Sequence, residues 1–163
     1  MVQLREPGMA PDRFDVLFRA VRARCERHGA RLLVNSGHPA SYWRAAGGVH
    51  LRAADPRSAS GRPALRWVGA SCHDETELAR ACAIEADYAL LGPVQPTASH
   101  PGVAGIGWQR FSAIAAPSSI PVYALGGLEP ADTATARRAG AHGLALKRAA
   151  WVGAAGQRPS APA

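Results

Sequence analysis

The sequence predicts an α/β fold, a TIM-type (β/α)8 barrel lacking its first β/α unit. Three observations predict it. Apolar runs alternate with helical patterns along the chain, the strands so counted number seven, and polar residues stand at the C-terminal end of almost every one. A complete eight-stranded barrel takes about 200 to 250 residues, and this chain has 163.

The elements follow in order. Met1 to Glu6 is a first strand, and Asp12 caps a helix that places Phe14, Leu17, Phe18, Val21 and Cys25 on one face, with Gly29 to stop it. Ala30 to Asn35 is the second strand, and a short helical piece around Tyr42 and Trp43 leads to the brief strand Gly48 to Leu51. Asp55 to Pro63, rich in Ser, Gly, Pro and Arg, is a loop. Trp67 to Cys72 is the fourth strand, and Asp74 with Glu77 forms a capping-box pattern that opens a helix through Ala86. Tyr88 to Val94 is a strand, Pro96 to Gly107 a long loop, Trp108 to Ala116 a short helix and Ile120 to Gly126 a further strand. Pro130 suits a helix start and Gly140 its end, and Leu144 to Leu146 is the last strand. The barrel domain thus covers residues 1–151, and the Ala/Gly/Pro tail, 152–163, has little to pack and is expected to be disordered. A nucleotide-binding doubly wound sheet finds no support, because no Gly-x-Gly-x-x-Gly follows an early strand.

Hydrophobic residues make up 47% of the chain, and no stretch approaches the roughly 18 consecutive apolar residues of a membrane span, so a soluble protein is expected. Met1-Val2-Gln3-Leu4-Arg5-Glu6 enters structure without the pattern of a signal peptide, which points to a cytoplasmic protein. Cys25, Cys72 and Cys82 show neither C-x-x-C nor zinc spacing, so reduced, mostly buried thiols are expected. The net charge of +7 suggests an anionic partner. Arg13, Arg44, Arg57, Arg80, Arg110 and Arg137 are scattered, however, without a basic run interleaved with aromatics, and this argues against nucleic acid.

In a β/α barrel the chemistry sits at the C-terminal ends of the strands. Here those ends carry Arg5-Glu6, Asn35-Ser36, His50, Ser71-Cys72-His73, Thr97 with Ser99 and His100, Gly126-Gly127 and Lys147-Arg148. A glycine pair directly after an apolar strand lets the backbone approach a ligand and present its amides to a phosphate dianion. His73 is a candidate general acid or base, or else caps the helix that starts at Asp74. His50, inside a short strand, is expected to be structural, with both ring nitrogens satisfied within the barrel. Cys72 alternates with Ser71 and His73 and should pack outward against a helix.

Val2-Gln3-Leu4-Arg5-Glu6, Gly48-Val49-His50-Leu51, Ser71-Cys72-His73, Ala86-Asp87-Tyr88, Gly92-Pro93-Val94 through Thr97, Pro121-Val122 through Gly126-Gly127, and Gly140-Ala141-His142-Gly143 occur in succession. In order and spacing they resemble the motifs of the thiamine phosphate synthase and TenI superfamily, from residue 1 to about Trp151. Segments such as Arg5-Glu6-Pro7 and Ser99-His100-Pro101-Gly102 are similar to the synthase-like domain that follows a Nudix hydrolase domain in some bacterial fusion proteins, although no Nudix box occurs in this chain. The resemblance implies a reaction in which magnesium and basic side chains hold a pyrimidine diphosphate as that group departs, while the nitrogen of a thiazole phosphate captures the cation. That chemistry needs charge neutralisation more than a base. Matching positions imply Gln3, Arg5 and Asn35 for the pyrimidine side, Ser71 near the leaving group, Thr97, Ser99, Gly126 and Gly127 for the thiazole phosphate, and Asp55 for magnesium. The TenI branch implies instead a tautomerisation of thiazole phosphate by a histidine at the position of His73, so Ser71 and His73 are the candidate catalytic residues.

Three departures accompany the matches. The family's lysine after Arg-Glu is Pro7, its second metal-binding aspartate is Ser36, and its lysine after the Thr-x-Thr segment is His100. An imidazole at His100 carries charge only when protonated, and one carboxylate in place of two leaves a weakened magnesium site that leans on substrate oxygens. The expected function is therefore a thiamine-biosynthesis protein that binds thiazole phosphate and couples or tautomerises it. The alternative is a non-catalytic ligand-binding or regulatory module derived from a Nudix-fusion protein. The expected partners are a small phosphorylated thiazole or pyrimidine, together with either a second copy of the chain or a Nudix domain to cover the sheet edges left by the missing unit.

Overall fold

The computed structural model describes residues 1–53, 55, 61–97, 102 and 104–151. The tail 152–163, expected to be disordered, lies outside the described residues, as do Ser99 and His100. Seven strands form one parallel sheet in sequence order: β1 (Val2–Leu4), β2 (Leu32–Asn35), β3 (Gly48–Leu51), β4 (Trp67–Cys72), β5 (Tyr88–Leu91), β6 (Val122–Leu125) and β7 (Gly143–Ala145). Sequential parallel order is that of a β/α barrel. Among the described residues β7 does not pair with β1, so the sheet stays open.

Helices α1 (Pro11–Arg27), α2 (Ala40–Ala46), α3 (Glu75–Ala83), α4 (Gly107–Ala115) and α5 (Thr133–Arg138) make crossovers between successive strands. Strands alternate their side chains between faces, and here each face has its own chemistry. Val34, Val49, Leu51, Val68 and Leu91 turn to the helices and join Phe14, Phe18, Phe111 and Ile114 in the main apolar core. The alternate set holds Gln3, Asn35, His50, Ser71 and Tyr88 on the inner face. Cys72 sits in the helix-facing core at 1% exposure, as its alternation with Ser71 predicts, and burial raises its thiol to about 12. All three cysteines are free thiols.

Several ends differ from the sequence expectation for physical reasons. Asp12 is not the cap of α1; the helix begins one residue earlier at Pro11, after Ala10, with no side-chain cap. Proline at the first helical position needs no amide partner, and Asp12 instead adds favourable charge to the first turn. Helix α3 stops at Ala83, short of Ala86, because Glu85 turns into the left-handed region (φ 52) and Ala86 donates back to the Ala81 carbonyl at 3.0 Å. The capping pair that opens it is displaced by one residue. Asp74 accepts the Glu77 amide at 2.8 Å, while Glu77 Oε2 accepts the His73 amide at 2.7 Å, where a regular box would use that of Asp74. Pro130 opens a single 3-10 turn, Pro130–Asp132, before α5.

Candidate functional site

The strand register decides which polar residues share the C-terminal face. Asn35 pairs with His50, His50 with Gly69, and Ser71 with Leu90. Gln3 in β1 pairs with Leu33 in β2, and the exposed Arg5 follows the strand directly. The loop that carries Arg5 is anchored by His38. Its Nε2 accepts the Glu6 amide at 3.3 Å, and its ring stacks on Phe14 with centroids 3.8 Å apart. Burial lowers the His38 pKa, and the nearby Glu6 carboxylate opposes that shift. Asn35 is buried, and its Oδ1 accepts the Gly37 amide at 3.0 Å, which shapes the turn after β2.

At the ends of β5 and β6 the two loops are built around glycine. Gly126 (φ 102) and Gly127 (φ 68) both adopt left-handed backbone. A Cβ on Gly126 would stand 2.5 Å from Pro93 Cβ, and one on Gly127 would stand 2.6 Å from the Pro96 carbonyl oxygen. No other residue fits either place. The Gly126 carbonyl accepts the Gln95 amide at 3.0 Å, so the segment leading to half-buried Thr97 is fastened onto the glycine turn. Glycine at both positions lets the backbone come close to a bound anion and offer its amides. Lys147 and Arg148 are exposed just beyond β7.

His50 is wholly buried on the inner face, with Nδ1 2.9 Å from Tyr88 Oη and Nε2 2.9 Å from Ser71 Oγ. Burial, with a smaller push from Arg5, lowers its pKa to about 3, so the ring is neutral. The expectation that both nitrogens of His50 are satisfied inside the barrel therefore holds. His73, by contrast, is more than half exposed, and its Nδ1 lies 3.0 Å from Glu77 Oε2 on the first turn of α3. The cap of α3 falls to Asp74, and His73 joins it through Glu77.

Asp55 is buried at 2% exposure and accepts a hydrogen bond from the Ser36 hydroxyl, which in turn accepts the Arg52 amide at 3.1 Å. Magnesium favours an octahedron of oxygens that includes one or two carboxylates. Among the described residues no cluster of three or more His, Cys, Asp or Glu side chains is arranged to hold a metal. Among the described residues Asp55 is the one carboxylate placed here and the Ser36 hydroxyl donates to it, so this donor set does not fit a magnesium ion held by the protein alone. Tyr88 is the site residue to which the sequence reading assigned no role. Its signal was a tyrosine at an inner-face position of a buried strand, where the hydroxyl must find a partner.

The chain matches the family described as "Thiamine monophosphate synthase" over residues 1–150. It is 38% identical over 149 residues to a putative thiamine-phosphate synthase of Geobacter sulfurreducens, covering 89% of this chain and 70% of that protein. It is 36% identical to a thiamine-phosphate synthase of Thioalkalivibrio sulfidiphilus, covering 90% and 71% respectively. Among solved structures, thiamine phosphate pyrophosphorylase from Pyrococcus furiosus superposes with a TM-score of 0.70 at 22% identity, covering 88% of this chain and 70% of that one. At that identity the superposition speaks for the fold.

Proposed function

Because the chain belongs to the thiamine monophosphate synthase family, we propose that its strand-end face binds thiazole phosphate and serves thiamine phosphate formation. The observation that carries this reading is the left-handed pair Gly126 and Gly127, held against the Pro93 to Pro96 segment with no room for a side chain. In this reading their amides and Thr97 take the thiazole phosphate, with Ser99 and His100 next in sequence. Gln3, Arg5 and Asn35 receive the pyrimidine, and Ser71 faces its diphosphate. In the coupling step the carbon–oxygen bond to the diphosphate breaks, with its electron pair leaving on oxygen. The thiazole nitrogen lone pair then forms the new carbon–nitrogen bond. The residues' contribution is positioning and charge stabilisation at a face lined by Arg5 and backbone amides. Tautomerisation of thiazole phosphate is the other candidate reaction. It is supported by the His73–Glu77 pair, which leaves the second ring nitrogen of His73 for a substrate.

A second reading, a non-catalytic binding module, draws on one observation: the Ser36–Asp55 hydrogen bond stands where the synthase resemblance calls for two metal carboxylates. The edges of β1 and β7 are open among the described residues, and in either reading a second copy of the chain, another domain or an eighth β/α unit would cover them. No described helix is long and apolar enough to cross a membrane, and the protein is read as cytoplasmic.

Calorimetric titration of the chain with thiazole phosphate, with and without pyrimidine diphosphate and magnesium, tests the proposal. Binding that Thr97→Ala weakens, followed by formation of thiamine phosphate in the ternary mixture, is the expected result. Binding without product supports the non-catalytic module. No binding by a folded chain rejects the thiamine reading. Gly126→Asp would be a poor control, since the Cβ alone collides with Pro93.

A further inference from the structure

The inner face carries a three-residue chain of hydrogen bonds, Tyr88 Oη to His50 Nδ1 at 2.9 Å and His50 Nε2 to Ser71 Oγ at 2.9 Å. Its direction can be worked out from the hydrogen-bonding capacity of each group. His50 is neutral and therefore has one N–H and one lone pair. The Tyr88 phenol is 6% exposed and keeps its proton, since burial raises its pKa. A buried hydroxyl proton must find an acceptor. Among the described residues the only group in hydrogen-bond contact with Tyr88 Oη is His50 Nδ1. Tyr88 therefore donates to Nδ1, the imidazole proton resides on Nε2, and Nε2–H donates to Ser71 Oγ. With one lone pair engaged by Nε2–H, the Ser71 proton is left for a group outside the triad, and Ser71 has no other partner among the described residues.

We infer that Tyr88 and His50 are positioning residues that set the polarity of the Ser71 hydroxyl, making it a hydrogen-bond donor toward an anionic oxygen on the strand-end face. The inference rests on the reading of that face as a phosphate and diphosphate site, and it adds which atom donates and what holds it. The opposite tautomer would turn the same hydroxyl inward and offer the ligand only lone pairs, which repel an anion. Gly69 is part of the device. A Cβ there would lie 2.5 Å from Tyr88 Cε1 and Oη, so a glycine on β4 is what lets the phenol lie across the strand and reach His50.

The test reads the tautomer directly and the ligand separately. In the full chain labelled with 15N-histidine, long-range 15N–1H correlation spectra should show a neutral His50 protonated on Nε2, and Tyr88→Phe should move that signal toward the other tautomer or a mixture. Inorganic diphosphate, titrated by calorimetry, should bind about tenfold more weakly to Ser71→Ala, the order expected for one hydrogen bond to a charged group. Tyr88→Phe should bind several-fold more weakly as well, with Ser71→Ala/Tyr88→Phe no weaker than Ser71→Ala alone. Additive losses in the double variant would mean that Tyr88 acts through general packing and would overturn the inference. A His50 protonated on Nδ1 in the unmodified chain would overturn it whatever the ligand does. If the Nε2 tautomer is present but diphosphate does not bind, the polarity stands and the assignment of the face to diphosphate fails. Should Tyr88→Phe unfold, the tautomer of His50 in the unmodified chain decides the inference by itself, since the Nε2-protonated ring is required and the Nδ1-protonated ring overturns it.

Discussion

Acidification should destabilise this fold through His50 in particular, and the size of the effect follows from its burial. The ring titrates near 6.5 in an unfolded chain and is held down to about 3 in the folded one, chiefly by desolvation and then by Arg5. Between those values the unfolded chain binds a proton that the folded chain refuses, so stability falls as pH falls through that window, by about 1.4 kcal/mol per pH unit. From pH 7 to pH 5 the loss attributable to His50 is about 2 kcal/mol. Urea unfolding at both pH values, on the parent chain and on His50→Gln, isolates the term. His38, whose pKa is also lowered, contributes in the same direction but equally to both proteins. The parent chain should lose about 2 kcal/mol more than His50→Gln over this interval. Equal losses in the two proteins would refute the claim that His50 is buried as a neutral ring between Tyr88 and Ser71.

Three further outcomes are expected. Gly126→Ala should lower stability by about 2 kcal/mol or more, because a left-handed φ and a collision with Pro93 act together; thermal unfolding measures it, and an unchanged Tm would contradict the geometry of the turn. Phe111→Ala, at a fully buried position of α4, should cost about 3 to 5 kcal/mol in urea unfolding. Millimolar magnesium alone should leave the Tm of the parent chain unchanged, whereas Ser36→Asp, which sets a second carboxylate beside Asp55, should give a chain that magnesium stabilises; a shift of equal size in both would show that the parent donor set holds the ion after all.

Much of the fold was legible because it rests on local periodicity. Gly48 to Leu51 and Trp67 to Cys72 were read with the bounds they have, since each is a short apolar run between helix-breaking or polar residues, and period-two alternation placed Cys72 on the helix side without reference to any other element. The helix ends were less legible, because they depend on backbone turns that composition does not announce. Ala83 ends α3 through a left-handed Glu85, where the usual signal would be glycine.

The site divides in the same way. By itself the sequence determined that polar residues recur at the strand ends and that a glycine pair follows β6, because both are facts of order along the chain. Only the tertiary structure decided which of them meet. His50, Ser71 and Tyr88 come from three strands, and their contact depends on a register in which His50 faces Gly69 and Gly69 faces Tyr88; a shift of one residue would have sent each side chain to the other face. Ser36 and Asp55 stand 19 positions apart and meet only when the loop after β3 folds back. Hydrogen bonds act over about 3 Å, so partners far apart in sequence are chosen by how the strands stack, and no pattern along the chain can record that choice.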